Sequence, residues 1–519
     1  MKSLKFILFF FLIAFASCKK GQEGQVSQLS LIPNTASFVM EIDGRDILKK
    51  SGLDKPDDYK FMAMLKLMGG DIYSIFESLL KGSKDAGVSI DNICIYADVP
   101  RFAVSFQMLD EKAFENNLKK GGYPEPQEGK SYRYVLHGNS YIAWNSQMLI
   151  LTPNDSRENI AEIFKPKADG LLATNSDFQA FVKNKSDVRM WIKYGGFVKY
   201  VQSVFGFGEF SWLSDFEDVL VHWYTDSKDG QINGSMKVYP AEVVNKLKEK
   251  YPIMKSFDNS LLKDMPEQSF LAFNAAINVQ EYFKIVKENM ASMVDGVNSS
   301  MNDSYYQELL AEKYEELAEI LETPEVKKVV DALAGDILFS IHGFNKGLLT
   351  YPLMSMNFSV KGESAFKDIL SLMPSSLYKF TDGYYTSYLG KFIPVYFAYK
   401  DNKVFVSSDL EAIQNFVAGG KGKNFSQNPV SKAMSDKWIV YMNMDFESYP
   451  ENIRLLLQNY MGPSFSMFSP IIDIYSSMQF SADENYNVDF TMQFKNSNVN
   501  ALKQILKSID KVASSSWSF

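Results

Sequence analysis

The chain has 519 residues, 46% of them apolar and 14% aromatic, and its 62 acidic against 54 basic side chains leave a formal charge of -8. That much apolar material can bury more than one core, so the length argues for two or three compact units. Lys and Arg are scattered rather than gathered into a stripe able to neutralise phosphates, which removes nucleic acid from the expected partners.

At the N-terminus, Lys2 and Lys5 flank the start of an unbroken apolar run, Phe6 to Ala16, which leads through Ser17 into Cys18. The run is too short to span a bilayer comfortably and reads as a signal peptide, residues 1–17. A Cys at this place reads as a lipobox, although Phe15 stands where the strictest form prefers Leu. The thiol of Cys18 then takes diacylglycerol, the chain is cut before it, and the new amino end is acylated. Several acyl chains on one residue give lasting attachment, so the expected partner is a membrane and the expected location the cell envelope. No acidic run follows Cys18, which favours the outer membrane facing the periplasm, with surface exposure as the alternative. Residues 18–28, polar and Gly-containing, are expected to form a flexible tether.

The folded part is expected to begin near Leu29. Its organising feature is a pattern of elements met twice. Pro33 leads through Ser37 into Phe38-Val39, and Pro266 leads through Ser269 into Phe270-Leu271. Val104 to Met108, then Phe114 and Leu118, is answered at identical spacing by Met356 to Val360, then Phe366 and Leu370. The hairpin Ala143 to Leu151 parallels Ala398 to Val406, each turning on polar residues. Ser186-Asp187 precedes a run with Trp191, as Ser435-Asp436 precedes one with Trp438. Each half closes with an alternating hairpin and a helix, Gln231 to Val244 and Asn487 to Leu502.

These matches predict an α+β fold made of two duplicated domains, 29–255 and 256–513, each of mainly antiparallel sheet with amphipathic helices packed on it. Residues 514–519 are left as a tail. The pairs Phe106 with Phe358, Phe114 with Phe366, Trp144 with Tyr399 and Met236 with Met492 should then share sheet faces, the aromatic ones buried. Alternation in the closing strands predicts that one face of each sheet is solvated or meets a partner. In the first copy, Phe61, Leu65, Met68, Ile72, Ile75 and Leu79 fall at helical spacing. The second copy expands this region into a helical insertion, 279–334, in which Thr323-Pro324 supplies a capping hydroxyl and a first-turn proline.

Residues able to carry chemistry are few. Cys94 lies in the apolar run Ile93 to Tyr96 and is expected to be a buried small hydrophobe; with Cys18 acylated no disulfide can form. His137, His222 and His342 lie far apart and form no metal-ligand spacing. No nucleophile elbow is present, Gly419 to Asn424 lacks the spacing of a phosphate loop, and Gly206-x-Gly208 lacks the third glycine of a dinucleotide site. Asp54, Asp57 and Asp58, and likewise Asp215, Glu217 and Asp218, miss the calcium-loop pattern. No cofactor or metal is expected. The aromatic clusters Phe205 to Trp212 and Tyr460 to Phe468 are expected to be core at helix-to-strand turns rather than exposed patches.

The lipobox Cys18, the tether, the opening Leu31 to Asp43 (LIPNTASFVMEID) and Ile47 to Leu53 (ILKKSGL) resemble a family of Bacteroidota lipoproteins known as domain of unknown function 4836. The resemblance implies an envelope lipoprotein with no assigned activity, and it carries over only the lipidated cysteine. The functional expectation is a lipid-anchored envelope protein without catalytic activity that binds a protein or an extended ligand. Two alternatives stay open: a carrier or sensor of apolar, lipid-like ligands, marked by a concave apolar pocket, and a hydrolase whose carboxylates are assembled by the fold.

Overall fold

A computed structural model describes residues 28–63, 83–98, 101–138, 140–153, 157–205, 216–288, 319–345, 350–390, 392–420, 422–428, 430–434 and 438–516, with a few isolated positions between them. The lipobox, the helical spacing beyond residue 63, the middle of the 279–334 insertion and the Ser435-Asp436 pair lie outside the described residues.

The described strands of the first half are β1 (Phe38–Ile42), β2 (Val88–Asp98), β3 (Arg101–Met108), β4 (Gln127–Glu128), β5 (Arg133–His137), β6 (Ser140–Trp144), β7 (Met148–Pro153), β8 (Val188–Lys193), β9 (Leu220–Lys228) and β10 (Gln231–Tyr239). Those of the second are β11 (Leu271–Ala276), β12 (Leu333–Phe344), β13 (Pro352–Val360), β14 (Lys379–Thr381), β15 (Tyr384–Leu389), β16 (Ile393–Lys400), β17 (Lys403–Ser407), β18 (Trp438–Asn443), β19 (Tyr475–Ala482) and β20 (Val488–Phe494).

Every pairing is antiparallel. The first set runs β4-β5-β6-β7-β3-β2-β1-β8-β9-β10. The second runs β14-β15-β16-β17-β13-β12-β11-β18-β19-β20, the same order displaced by ten strands. β10 pairs with β20, with Ser235 opposite Asp489, so the two sets form one continuous sheet rather than the separate sheets that two domains imply.

Ladder partners fix which residues occupy matching places. Phe106 faces Leu149 and Phe358 faces Val404, while Trp144 faces Leu149 and Tyr399 faces Val404, so these pairs match in register. The helices Glu111–Lys120 and Glu363–Leu370 follow β3 and β13 and put Phe114 and Phe366 against the sheet. Three correspondences need correction. Met236 lies opposite Trp223, and the matching residue of β20 is Phe490, opposite Phe480; Met492 is two places further along the same face. The amide of Ser37 donates to Ala97 O and that of Phe270 to Ile341 O, so Phe270, not Ser269, takes the place of Ser37. Likewise Tyr441, not Trp438, takes the place of Trp191 in the ladder.

Both sheet faces are covered over much of the width, where alternation leaves the second face to solvent or a partner. In the first half Phe106, Trp144 and Leu149 belong to one core, and Ala143 and Ile150, strand neighbours of the last two, to another on the opposite face together with Cys94 of β2. The second half repeats this, with Phe397 and Val404 on one side and Leu338, Ala398 and Phe405 on the other. Near the junction the sheet is half-open, with Val440 and Phe480 each 40% exposed. The aromatic pairs also differ in burial: Phe106 and Trp144 are buried, whereas Phe358 and Tyr399 are only partly so.

The last helix, Ala501–Ser516, continues through the first three residues of the expected tail. Its Leu502 and Leu506 pack into the first-half core beside Leu48, and Asp510 accepts a hydrogen bond from the Phe61 amide at 2.7 Å. The C-terminus of the second half thus completes the first. In the insertion, the helix Pro324–Ala332 begins where the sequence places it, with Thr323 Oγ1 accepting from the Val326 amide. Gly335 follows at φ +102°, where a Cβ would meet Ile277 O at 1.9 Å, so only glycine fits as β12 starts.

Candidate functional site

The helix Glu363–Leu370 lies over β13 and β17, and on this side of the sheet an apolar groove of about 290 Å³ opens between Ile369, Leu370 and Met373 of the helix end and Phe397, Val404 and Val406 of the strands. Its floor is aromatic. Tyr385 stacks on Phe397 with ring centroids 5.0 Å apart, and Phe366 stacks on Tyr399 at 5.4 Å. The rim is apolar and open, with Tyr388 64%, Leu389 62% and Phe392 70% exposed. Single exposed apolar residues are ordinary, but a contiguous set bordering a concave apolar surface marks a binding place.

The matching region of the first half is filled. Leu118 stands where Leu370 does and is buried, Trp144 meets Phe114 edge-on at 5.2 Å, and Trp144 Nε1 donates to Glu115 at 3.2 Å. Tyr123 packs against the same core with its ring 5.0 Å from that of His137, which holds the ladder position of Ser387 in the groove.

A second cavity of about 300 Å³ lies between the Lys263 to Gln268 segment and the helix Leu410–Val417. His342 Nε2 is 3.1 Å from Asp409 Oδ2, and Asp409 also caps that helix by accepting from the Glu411 amide. Burial pushes the Asp409 carboxyl up, but the His342 hydrogen bond and charge outweigh it and hold the group below the ordinary carboxylate range. His342 Nδ1 is buried without a hydrogen-bond partner among the described residues. No Ser, Thr or Cys is among the described residues that line this cavity. Asp264, at the same mouth, is neutralised by Lys403 Nζ at 2.5 Å.

The other residues singled out from sequence are dispersed. Cys94 is fully buried, and burial pushes its thiol well above the ordinary value. His137 is at the surface. His222 is buried with Nε2 2.8 Å from Asp177, which also accepts from Trp191 Nε1 at 3.0 Å; burial raises this carboxyl, and the two hydrogen bonds more than reverse the effect. These His–Asp pairs were invisible in sequence, because 45 and 67 residues separate their members. Among the described residues, no group of His, Cys, Asp and Glu side chains gathers into a metal site. Of the aromatic clusters, 206–212 lies outside the described residues, and the second is not core as expected: Tyr460 is 90% and Phe468 41% exposed.

A family model for a domain of unknown function matches residues 29–502. The chain belongs to the DUF4836 family. No curated protein matches it in sequence. Among solved structures, crystal forms I and IV of TP0453 are faintly similar, at 8% and 9% identity with TM-scores of 0.25 and 0.28, covering 45% and 44% of this chain and 88% and 87% of the other. Among the described residues of this DUF4836 member, no helix is long and apolar enough to cross a membrane.

Proposed function

We propose that this protein is a lipid-anchored, non-enzymatic binding protein of a bacterial cell envelope, built from a duplicated unit whose second copy takes up an apolar chain such as the acyl part of a lipid. The supporting observation is the groove beside Glu363–Leu370, which is lined mainly by apolar side chains and lies where the first half is filled by Trp144, Leu118 and Tyr123. Its volume is near the lower end of ligand sites, about 300 Å³, and suits a slender chain better than a compact head group. Duplication is supported by the common pairing order of the two strand sets, and it explains the groove as the second copy's departure from a closed core. The anchor is Cys18, which would hold the fold near its ligand source with the protein on the outer membrane, facing the periplasm.

Ligand binding is tested by extracting lipids from protein purified out of membranes and by titrating an environment-sensitive fluorescent fatty acid. Ile369→Trp fills the groove and should weaken binding by about tenfold or more, roughly 1.4 kcal/mol. Equal affinity in that variant sinks the groove as the ligand site. The anchor is tested apart from it: Cys18→Ala should leave an uncleaved or soluble product that carries no labelled fatty acid.

A further inference from the structure

From Leu455 to Ile472 the chain contains no Asp, Glu, Lys or Arg. This stretch forms most of two helices, Glu451–Met461 and Pro463–Ile472, joined at Gly462, whose φ of 56° lets the chain reverse. The hairpin is fixed from behind. Phe465 meets Phe446 with centroids 5.1 Å apart, the second helix packs on the C-terminal helix, and Asn452 Nδ2 donates to Thr350 Oγ1 at 2.6 Å. Its outer side is open, with Leu456 61%, Tyr460 90% and Phe468 41% exposed. Leu456 and Tyr460 are one helical turn apart and therefore share a face.

An exposed apolar face bare of charge is costly in water and unlike the rim of a protein interface, which is polar and usually charged. It suits a lipid interface, where no charged side chain has to be desolvated and where aromatic and aliphatic residues lie at the boundary of head groups and acyl chains. The proposed anchor brings such an interface near. Residues 19–28 span at most about 35 Å when fully extended, so an anchor at Cys18 keeps Leu29, where the fold begins, within that distance of the bilayer and raises the local concentration of lipid around the protein.

We infer that the hairpin Glu451–Ile472 is a second, reversible membrane contact, in which Leu456, Tyr460 and Phe468 enter the interface of the membrane that holds the acyl chains. The inference rests on the Cys18 anchor and adds an orientation to it: the fold lies against the bilayer on one defined side. The test uses the full lipidated protein in phosphatidylcholine vesicles, with an environment-sensitive dye on Tyr460→Cys. Cys94 is buried, and the wild type under the same labelling reports whether Cys18 is free. The dye at 460 should shift to the blue and be quenched by lipids brominated near the head group, whereas a dye on Glu484→Cys, at an exposed turn, should do neither. Adding Leu456→Asp and Phe468→Asp should abolish the quenching while the acyl chains keep the protein on the vesicles. A dye at 460 that stays in water overturns the inference, as does a blue shift that follows protein density and survives in detergent, which would mean a second copy covers the face. If the wild type labels at Cys18, the anchor reading has failed; quenching at 460 on added vesicles then still supports the hairpin contact, and its absence removes it.

Discussion

Where the third residue after the start of each central strand is buried between two neighbours, the halves use different chemistry. In the first, Glu41 of β1 faces Arg189 of β8, with side chains only 8% and 14% exposed, and Arg189 also donates to Val182 O at 2.7 Å. Burial raises the Glu41 carboxyl despite the opposing Arg189 charge. In the second, Asn274 of β11 faces Ile439 of β18; its Oδ1 accepts from the Ile439 amide at 2.7 Å and its Nδ2 donates to Met434 O. The same ladder position thus tolerates either a buried ion pair or a neutral amide satisfied by backbone. The sheet geometry demands only hydrogen-bond satisfaction there, not charge. The two outer faces differ in the same spirit: Trp144 and Tyr123 close one half, and the groove opens the other.

The largest effect is expected at the closed side. Ending the chain at Asn500 removes Leu502, Leu506 and Asp510 from the first-half core, so hydrogen exchange should show the first half losing protection before the second. Next, Trp144→Ala should cost about 3–5 kcal/mol in urea unfolding, whereas Tyr399→Ala, at a half-open site, should cost about 1–2 kcal/mol. Equal costs would mean that the groove is as tightly packed as its counterpart. Arg189→Ile alone leaves a buried carboxylate without its partner and should cost about 3–5 kcal/mol; adding Glu41→Asn installs the chemistry of the second half and should recover most of that. If the double variant is no better than the single, the two positions are not interchangeable. The smallest effect concerns acid. Asp177 and Asp409 both have folded values below the ordinary 3.8, so each contributes stability that is present above 3.8 and lost as pH falls through the lowered folded value. Asp177→Asn and Asp409→Asn should each flatten the acid limb of stability against pH, by about 1 kcal/mol.

Much of the architecture was legible because equal spacing of apolar residues along β3, the helix after it and the β6–β7 hairpin fixes side-chain direction. The mistaken match of Met236 with Met492 has a specific cause. Strand alternation has a period of two, so a slip of two residues leaves every side chain on its own face, and only ladder partners reveal it. The β10–β20 junction was likewise hidden: alternation says that a strand has two faces, not which edge it meets. The groove and the exposed hairpin escaped for another reason. Ile369, Met373 and Leu456 follow the same helical spacing that core residues follow, and whether anything covers them is decided by distant elements.

The placement of the C-terminal helix also sets the order in which the molecule can be finished. Chains are delivered from the N-terminus, yet the first half keeps its core around Leu48 and Phe61 open until residues 501–516 arrive, a contact spanning 449 positions. Closing so long a loop adds little to the equilibrium cost but delays the event. The earlier-made half is therefore the later one to become complete, and both halves reach their final form in one terminal step.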